Sequence, residues 1–404
     1  MMKKSQMIFG KIKKTRRHRF FAVILSAWFA GVLFSGCESV MQDDTAVPTV
    51  VNSQKARLDA RAVLLQATAN PSPEVRAHAM EAIGNTLGAS EGSYLEQGLR
   101  DESSMVQFAA AMSIGDIRYT PARNILANIV EYPESDKRVV CASIYALYRI
   151  GVPKYAPLLA KSLTSDKEQI RSCGAMVLGK MGDTSAIEPL KNLLREETST
   201  ATRFNIIQAM AELGDIRSMK MLASFLQEYF LDMKLAAVPA ITECHVPNAD
   251  LILRAQLRET NPPRVRVSAA GALGKMGQSD PKMYEYCVEC IRNPQEILRN
   301  HYGEKYPMKQ VDVDSLVRLS VMAIGDMRDR RGLPMLNQML KNPDGSLRVT
   351  AAMSILHILE PAKSSENTAD ETATPDTATP EDRKLPPYLP KLFSSDGLDD
   401  FPDE

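Results

Sequence analysis

Through the middle of the chain, a basic residue is followed by small and apolar residues and then a glycine, and the arrangement keeps returning. It reads "EVRAHAMEAIG" at Arg76, "QIRSCGAMVLG" at Arg171, "RVRVSAAGALG" at Arg266 and "SLRVTAAMSIL" at Arg348. Weaker copies fill the gaps. The marked positions are then Arg76, Gln107, Arg138, Arg171, Arg203, Lys234, Arg266, Arg318 and Arg348, with steps of 31, 31, 33, 32, 31, 32, 52 and 30. A period of this size predicts a solenoid, in which each unit buries its apolar face against its neighbours because it cannot bury it alone.

Each period predicts two helices. The first places small residues two and three positions after the base, as in Ala109 and Ala110, Cys173 and Gly174, Ala236 and Ala237, or Thr350 and Ala351, so that neighbouring helices can approach closely. The second carries apolar residues at helical spacing, as in Ile187, Leu190, Leu193 and Leu194, or Leu333, Leu336, Met339 and Leu340. A "GD" pair at Gly115, Gly182, Gly214 and Gly325 predicts the turn between them, glycine taking the left-handed conformation and aspartate capping the next helix. The expected fold is all-α, an α-solenoid of about nine helix-turn-helix units over residues 55–360. The final unit stops at Glu360 without its second helix.

Composition supports that class. Hydrophobic residues make up 44% of the 404, enough for a substantial core, while aromatics are only 6% with a single tryptophan, which suits close-packed helices better than a β-sandwich. The two ends differ from the middle. Residues 1–19 hold eight Lys or Arg and no acid, and run into the apolar stretch "FFAVILSAWFAGVLF" and then "SGCES". This start resembles a bacterial lipoprotein signal, with Phe34 where that family usually has leucine. The resemblance implies that residues 1–36 are a signal peptide, that Cys37 receives the lipid, and that residues 37–54 are a tether placing the bulk of the chain in the cell envelope, outside the cytoplasm. Loss of residues 1–36 would leave a charge of about −8, which argues against nucleic acid as a partner. Residues 361–404 carry eleven acids against four bases and are rich in Pro, Ser and Thr, so they are expected to form an acidic disordered tail. Within it, "KLPPYLPKLF" at residues 384–393 is apolar again and is expected to cover the open end of the last unit or to bind a partner.

The repeated phrase is similar to HEAT repeats, specifically the short HEAT-like type first described in phycobilisome lyases. In that family an arginine of the first helix and an acidic or amide residue near its start form a ladder along the stack. The resemblance implies structural roles for Arg76, Arg138, Arg171, Arg203, Lys234, Arg266, Arg318 and Arg348. Asp101, Asp166, Asn261, Asp312 and Asn342 are available as partners, and Gln107 breaks the series. The concave face is expected to be lined by the second helices.

The step of 52 implies an insert near residues 294–310, read as a loop. Its Arg299, His301, Tyr302, Lys305 and Tyr306 give it the basic and aromatic character of a protein contact.

Candidate chemistry is sparse. None of the five histidines begins an HExxH pair, and the absence of His-Glu also counts against the hydroxylases built from similar repeats. Lyase activity would be a transfer from the family that an exported chain does not suit. "GAMVLGKM", from Gly174, has phosphate-loop spacing but lacks the Ser or Thr after lysine and the preceding strand. Cys287 and Cys290 form a Cys-x-x-Cys pair that could serve redox or metal chemistry, but its place within a helix favours core packing. The expected function is therefore a lipid-anchored scaffold for protein–protein interaction, not an enzyme, with no cofactor, metal or small-molecule substrate inferred. A redox or metal-handling role for Cys287 and Cys290, or a lyase- or hydroxylase-type enzyme, stands as the alternative.

Overall fold

The computed structural model describes residues 51–228 and 230–360. All regular elements among them are helical. Helix α1 (Ser53–Ala67) precedes the first repeat. First and second helices then alternate as α2 (Pro73–Thr86) and α3 (Gly92–Gly98), α4 (Ser104–Asp116) and α5 (Arg123–Glu131), α6 (Lys137–Arg149) and α7 (Leu159–Leu163). The series continues as α8 (Glu168–Met181) and α9 (Ile187–Glu196), α10 (Thr200–Glu212) and α11 (Ile216–Ser224), α12 (Leu231–Glu243) and α13 (Ala249–Gln256), α14 (Pro263–Lys275) and α15 (Pro281–Arg292). After α16 (Pro294–Tyr302), which lies outside the pattern, come α17 (Gln310–Asp326), α18 (Leu333–Met339) and α19 (Gly345–Leu359). The signal segment, Cys37 and the tail, including residues 384–393, lie outside the described residues.

Caps set the helix starts. Ser72, Asp136, Ser199 and Asp344 accept backbone N–H groups at the first turns of α2, α6, α10 and α19, and Asp215 and Asp280 do the same for α11 and α15. The "GD" pairs divide into two kinds. Gly182 (φ 78°) and Gly214 (φ 91°) take the expected left-handed turn, but Gly115 and Gly325 lie inside α4 and α17. There the need is for space: a Cβ on Gly325 would sit 2.6 Å from the Ser354 Cα on the neighbouring first helix. The left-handed residues of those two turns are Arg118 (φ 53°) and Arg328 (φ 54°).

The first helices pack side by side around the molecule, α2 on α4, α6, α8 and α10, then α12 on α14, α17 and α19. The series does not end there, because α19 packs on α2 as well, and the stack closes into a ring. At the closure α1 packs between α19 and α2, as second helices pack between the first helices of consecutive repeats. It packs mainly against α19, burying the stripe Ala56, Ala60, Leu64 and Ala67, and Arg57 donates to the Leu359 carbonyl. Burial of Leu64 alone contributes about 2 kcal/mol. The end expected to be open is thus covered from the other terminus of the chain. The loosest joint is between α10 and α12, the one adjacent pair of first helices without a close backbone approach, where α12 also carries Pro239 in its interior.

The concave side is lined by the first helices, contrary to the expectation for the second. Lys180 on α8 lies within electrostatic reach of Asp116 on α4 and Glu243 on α12, each two repeats away. Only the inside of a closed curve brings side chains that far apart in the stack together. The second helices lie on the other side, and all but α11 pack chiefly on the first helix of the following repeat, α5 on α6, α7 on α8, α13 on α14 and α18 on α19 among them.

Candidate functional site

The basic ladder is built at the starts of the first helices. Arg76 donates from Nη1 to the carbonyls of Asn70 (2.9 Å) and Pro71 (3.1 Å), and from Nε and Nη2 to both Asp101 oxygens at 2.8 Å. Arg171 repeats the pattern with the carbonyls of Ser165 and Asp166 and with Glu197 at 2.7 and 3.0 Å. The acid belongs to the loop of the following repeat, so each bidentate pair pins one repeat to the next. Burial is the largest single effect on Asp101 and Glu197 and works against their charge, but the arginine hydrogen bonds, the arginine charges and backbone N–H groups of the loop together outweigh it and hold both carboxyls below the usual range.

Other rungs keep only part of this. Arg203 and Arg348 bond the carbonyls alone, as does Gln107 with the Asp101 carbonyl at 2.6 Å. Arg138 pairs with Asp136 of its own loop and reaches Ser104 of the preceding repeat. Arg266 lies 3.9 Å over the Tyr286 ring, while Asp312 pairs with Arg264 at 3.1 Å. Among the described residues Lys234 makes none of these contacts. Arg318 is one residue out of register: Val317 stands eight residues before Gly325, as Arg76 does before Gly84, and Arg318 instead faces Asp344 at 3.7 Å.

At the opposite ends of the first helices a charged cluster faces the inside of the ring. Lys180 is surrounded by protein; burial alone would lower its pKa, but Asp116, Glu212 and Glu243 raise it. Burial pushes Glu212 up to about 7 against the pull of Lys180 and the Gln208 hydrogen bond, and Glu243 and Asp116 add smaller upward pushes. Its Oε1 accepts from Gln208 Nε2 at 3.0 Å, and its buried Oε2 has no hydrogen-bond partner. Asp116 also accepts from the Tyr145 hydroxyl. Elsewhere on this rim burial raises Asp326 to about 6, with Lys275 at 3.7 Å and His357 at 3.9 Å. The cluster was not singled out in the sequence, yet it had a signal. Asp116, Lys180, Glu212, Glu243 and Lys275 each stand nine residues after a ladder position.

The insert is a further helix, α16, with a loop behind it, where a loop alone was expected. Leu298 is fully buried and fixes α16 against its neighbours α15 and α17. Tyr302 and Tyr306 stack with centroids 4.4 Å apart, His301 meets Tyr302 edge-on, and the Tyr306 hydroxyl donates to Asp312 at 3.2 Å. His301 bonds the Glu259 backbone, and burial lowers its pKa. These three rings are half-buried and held by contacts within the chain. Arg299 and Lys305 are exposed.

Family models match the chain in two adjoining places: HEAT repeats over residues 92–174, and PBS lyase HEAT-like repeat over residues 174–196. This is a HEAT-repeat protein. No curated protein matches it by sequence. Among solved structures it is similar to the CpcE–CpcF complex of phycocyanin lyase from Nostoc, at 17% identity over 65% of this chain and 99% of that one, with a TM-score of 0.37. It is also similar to human deoxyhypusine hydroxylase, at 17% identity over 65% of this chain and 98% of that one, with a TM-score of 0.31.

In the HEAT ring Cys287 and Cys290 lie in α15 with no exposed surface, both as free thiols. Burial drives the Cys287 thiol far above the usual range and pushes Cys290 up to about 11, so neither is primed as a thiolate. Among the described residues no group of three or more His, Cys, Asp or Glu is placed to hold a metal ion. The "GAMVLGKM" segment is the inside of α8, not a loop. Gly174 makes room for the Ser162 side chain and Gly179 for the backbone of α10.

Proposed function

We propose that this HEAT ring is a lipid-anchored scaffold for protein–protein interaction in the bacterial cell envelope. Support for the anchor is the basic start, apolar run and Cys37 of the sequence. Support for a binding role comes chiefly from the insert. It is the one break in the repeat, it is folded rather than a loose excursion, and it exposes Arg299 and Lys305 beside the stacked pair Tyr302 and Tyr306. In this reading the ladder arginines and the described cysteines are spent on holding the ring, and the protein works by shape and charge, without a reaction of its own.

Two measurements test it on the full chain expressed in a bacterial host. Labelling with an alkyne fatty acid should mark the protein and be lost in Cys37→Ala; a label that persists, or never appears, sinks the anchor. A photo-crosslinking residue in place of Arg299 should capture a discrete envelope protein, with the same residue at exposed Glu188 on α9 as control. Equal, diffuse capture at both positions sinks the insert as the contact.

A further inference from the structure

Both ends of the ring-forming chain meet at the closure, and a cleft of about 410 Å³ lies between them, lined by Ser53, Gln54, Arg57, Arg330 and Leu359. Its chemistry favours an anion. Arg57 and Arg330 are exposed and carry its positive charge, since the first turn of α1 and the last turn of α19 both face the cleft and their end dipoles offset each other. Arg57 already bridges α1 to α19 through the Leu359 carbonyl, so whatever engages this cleft bears on the joint that closes the ring.

We propose that the acidic segment that follows Glu360, residues 366–382, docks into this cleft and straps α1 onto α19. Position supports that occupant: Leu359 lines the cleft, and Glu360 already turns back onto the ring through its ion pair with Arg328 at 3.1 Å. Reach is ample, since the six residues from Glu360 to Glu366 span up to about 20 Å when extended. Charge is complementary. Glu366, Asp370 and Glu371 follow in quick succession, and the first base after the exit, Lys363, is alone until Arg383. The strap is ionic and exposed, so its hold is salt-sensitive and adjustable, unlike the apolar seat of α1 itself. It does not depend on the envelope reading above.

The test is hydrogen exchange of the α1 amides in the full chain at low salt. The variant Glu366→Gln/Asp370→Asn/Glu371→Gln should exchange several-fold faster in α1, as should Arg330→Gln. Combining them should add nothing further, and about 1 M salt should bring the parent protein to the same rate. Unchanged α1 exchange in the tail variant overturns the proposal, as does a combined effect equal to the product of the two. A second arm uses vesicles rich in phosphatidylglycerol. If Arg330→Gln weakens vesicle binding while the tail variant leaves α1 exchange unaltered, the cleft takes lipid headgroups and the strap is wrong.

Discussion

Gly179→Ala asks whether the ring is held by close approach of its first helices. Inside an exposed helix this change stabilises by about 1 kcal/mol, since alanine gives up less backbone freedom than glycine. In α8 the added Cβ would lie 2.7 Å from the Ala209 Cα and 2.9 Å from its Cβ, and it would also meet Glu212 Oε2 at 2.7 Å. Ordinary contact begins at 3.4 Å, so α8 and α10 must part by about 0.7 Å (3.4 − 2.7) at a backbone contact that no rotamer change can relieve. An open solenoid would pass such a shift to a free end; a closed ring must distribute it over the other joints. Overpacking of this kind costs about 1–3 kcal/mol. With a backbone atom in the way the upper part of that range applies, leaving a net loss of about 2 kcal/mol. Urea unfolding followed by circular dichroism measures it. Gly182→Ala, three residues on, is the control: φ there is 78° and nothing lies within 4 Å of the added Cβ. It should lose about 1–2 kcal/mol from backbone strain alone. If Gly179→Ala proves as stable as the parent protein or more so, close approach is not what holds this joint.

Arg171→Met should cost about 3 kcal/mol in the same assay, because it strands the Glu197 carboxylate, whose side chain has no exposed surface; a loss under 1 kcal/mol would remove the ladder from the account. Glu212 has its pKa raised from 4.5 to about 7, so the folded state holds that proton more tightly than the unfolded chain. Its contribution is present below pH 4.5 and is lost as pH rises through 7; Glu212→Gln should therefore gain in melting temperature over the parent at pH 8 and not at pH 4. The five described cysteines, each at most 6% exposed, should react with a thiol reagent only after denaturation, and a fast-reacting Cys287–Cys290 pair in the native protein would reopen the redox alternative. A circular permutant that begins at Asn70 and carries residues 51–69 after Glu360 through a short flexible linker should fold with the parent's circular dichroism and cooperativity; failure to fold would mean that α1 does not pack between α19 and α2 as a second helix does.

The repeat was legible in the sequence because stacking imposes the same local demand every 31 to 33 residues: a base to bond the loop carbonyls, small residues where helices meet, and an apolar stripe on the second helix. Helix type, caps and the core role of the cysteines follow from residues near one another in the chain. Partners were not legible in the same way. Asp101 stands in the loop before Gln107 but bonds Arg76, 25 residues back, and Gly115 bears the letters of a turn while serving as a contact for Tyr145 and Ala146. The charged inner cluster left a periodic trace, nine residues after the ladder, but its pKa shifts depend on side chains two and three repeats apart. Closure of the ring belongs wholly to the tertiary structure. Each repeat fixes only the rotation and shift to its neighbour, and only after eight such steps does the sum bring α19 beside α2. There α1, which precedes the first repeat, packs between α19 and α2 as a second helix does, because its alanine and leucine stripe would otherwise remain in water.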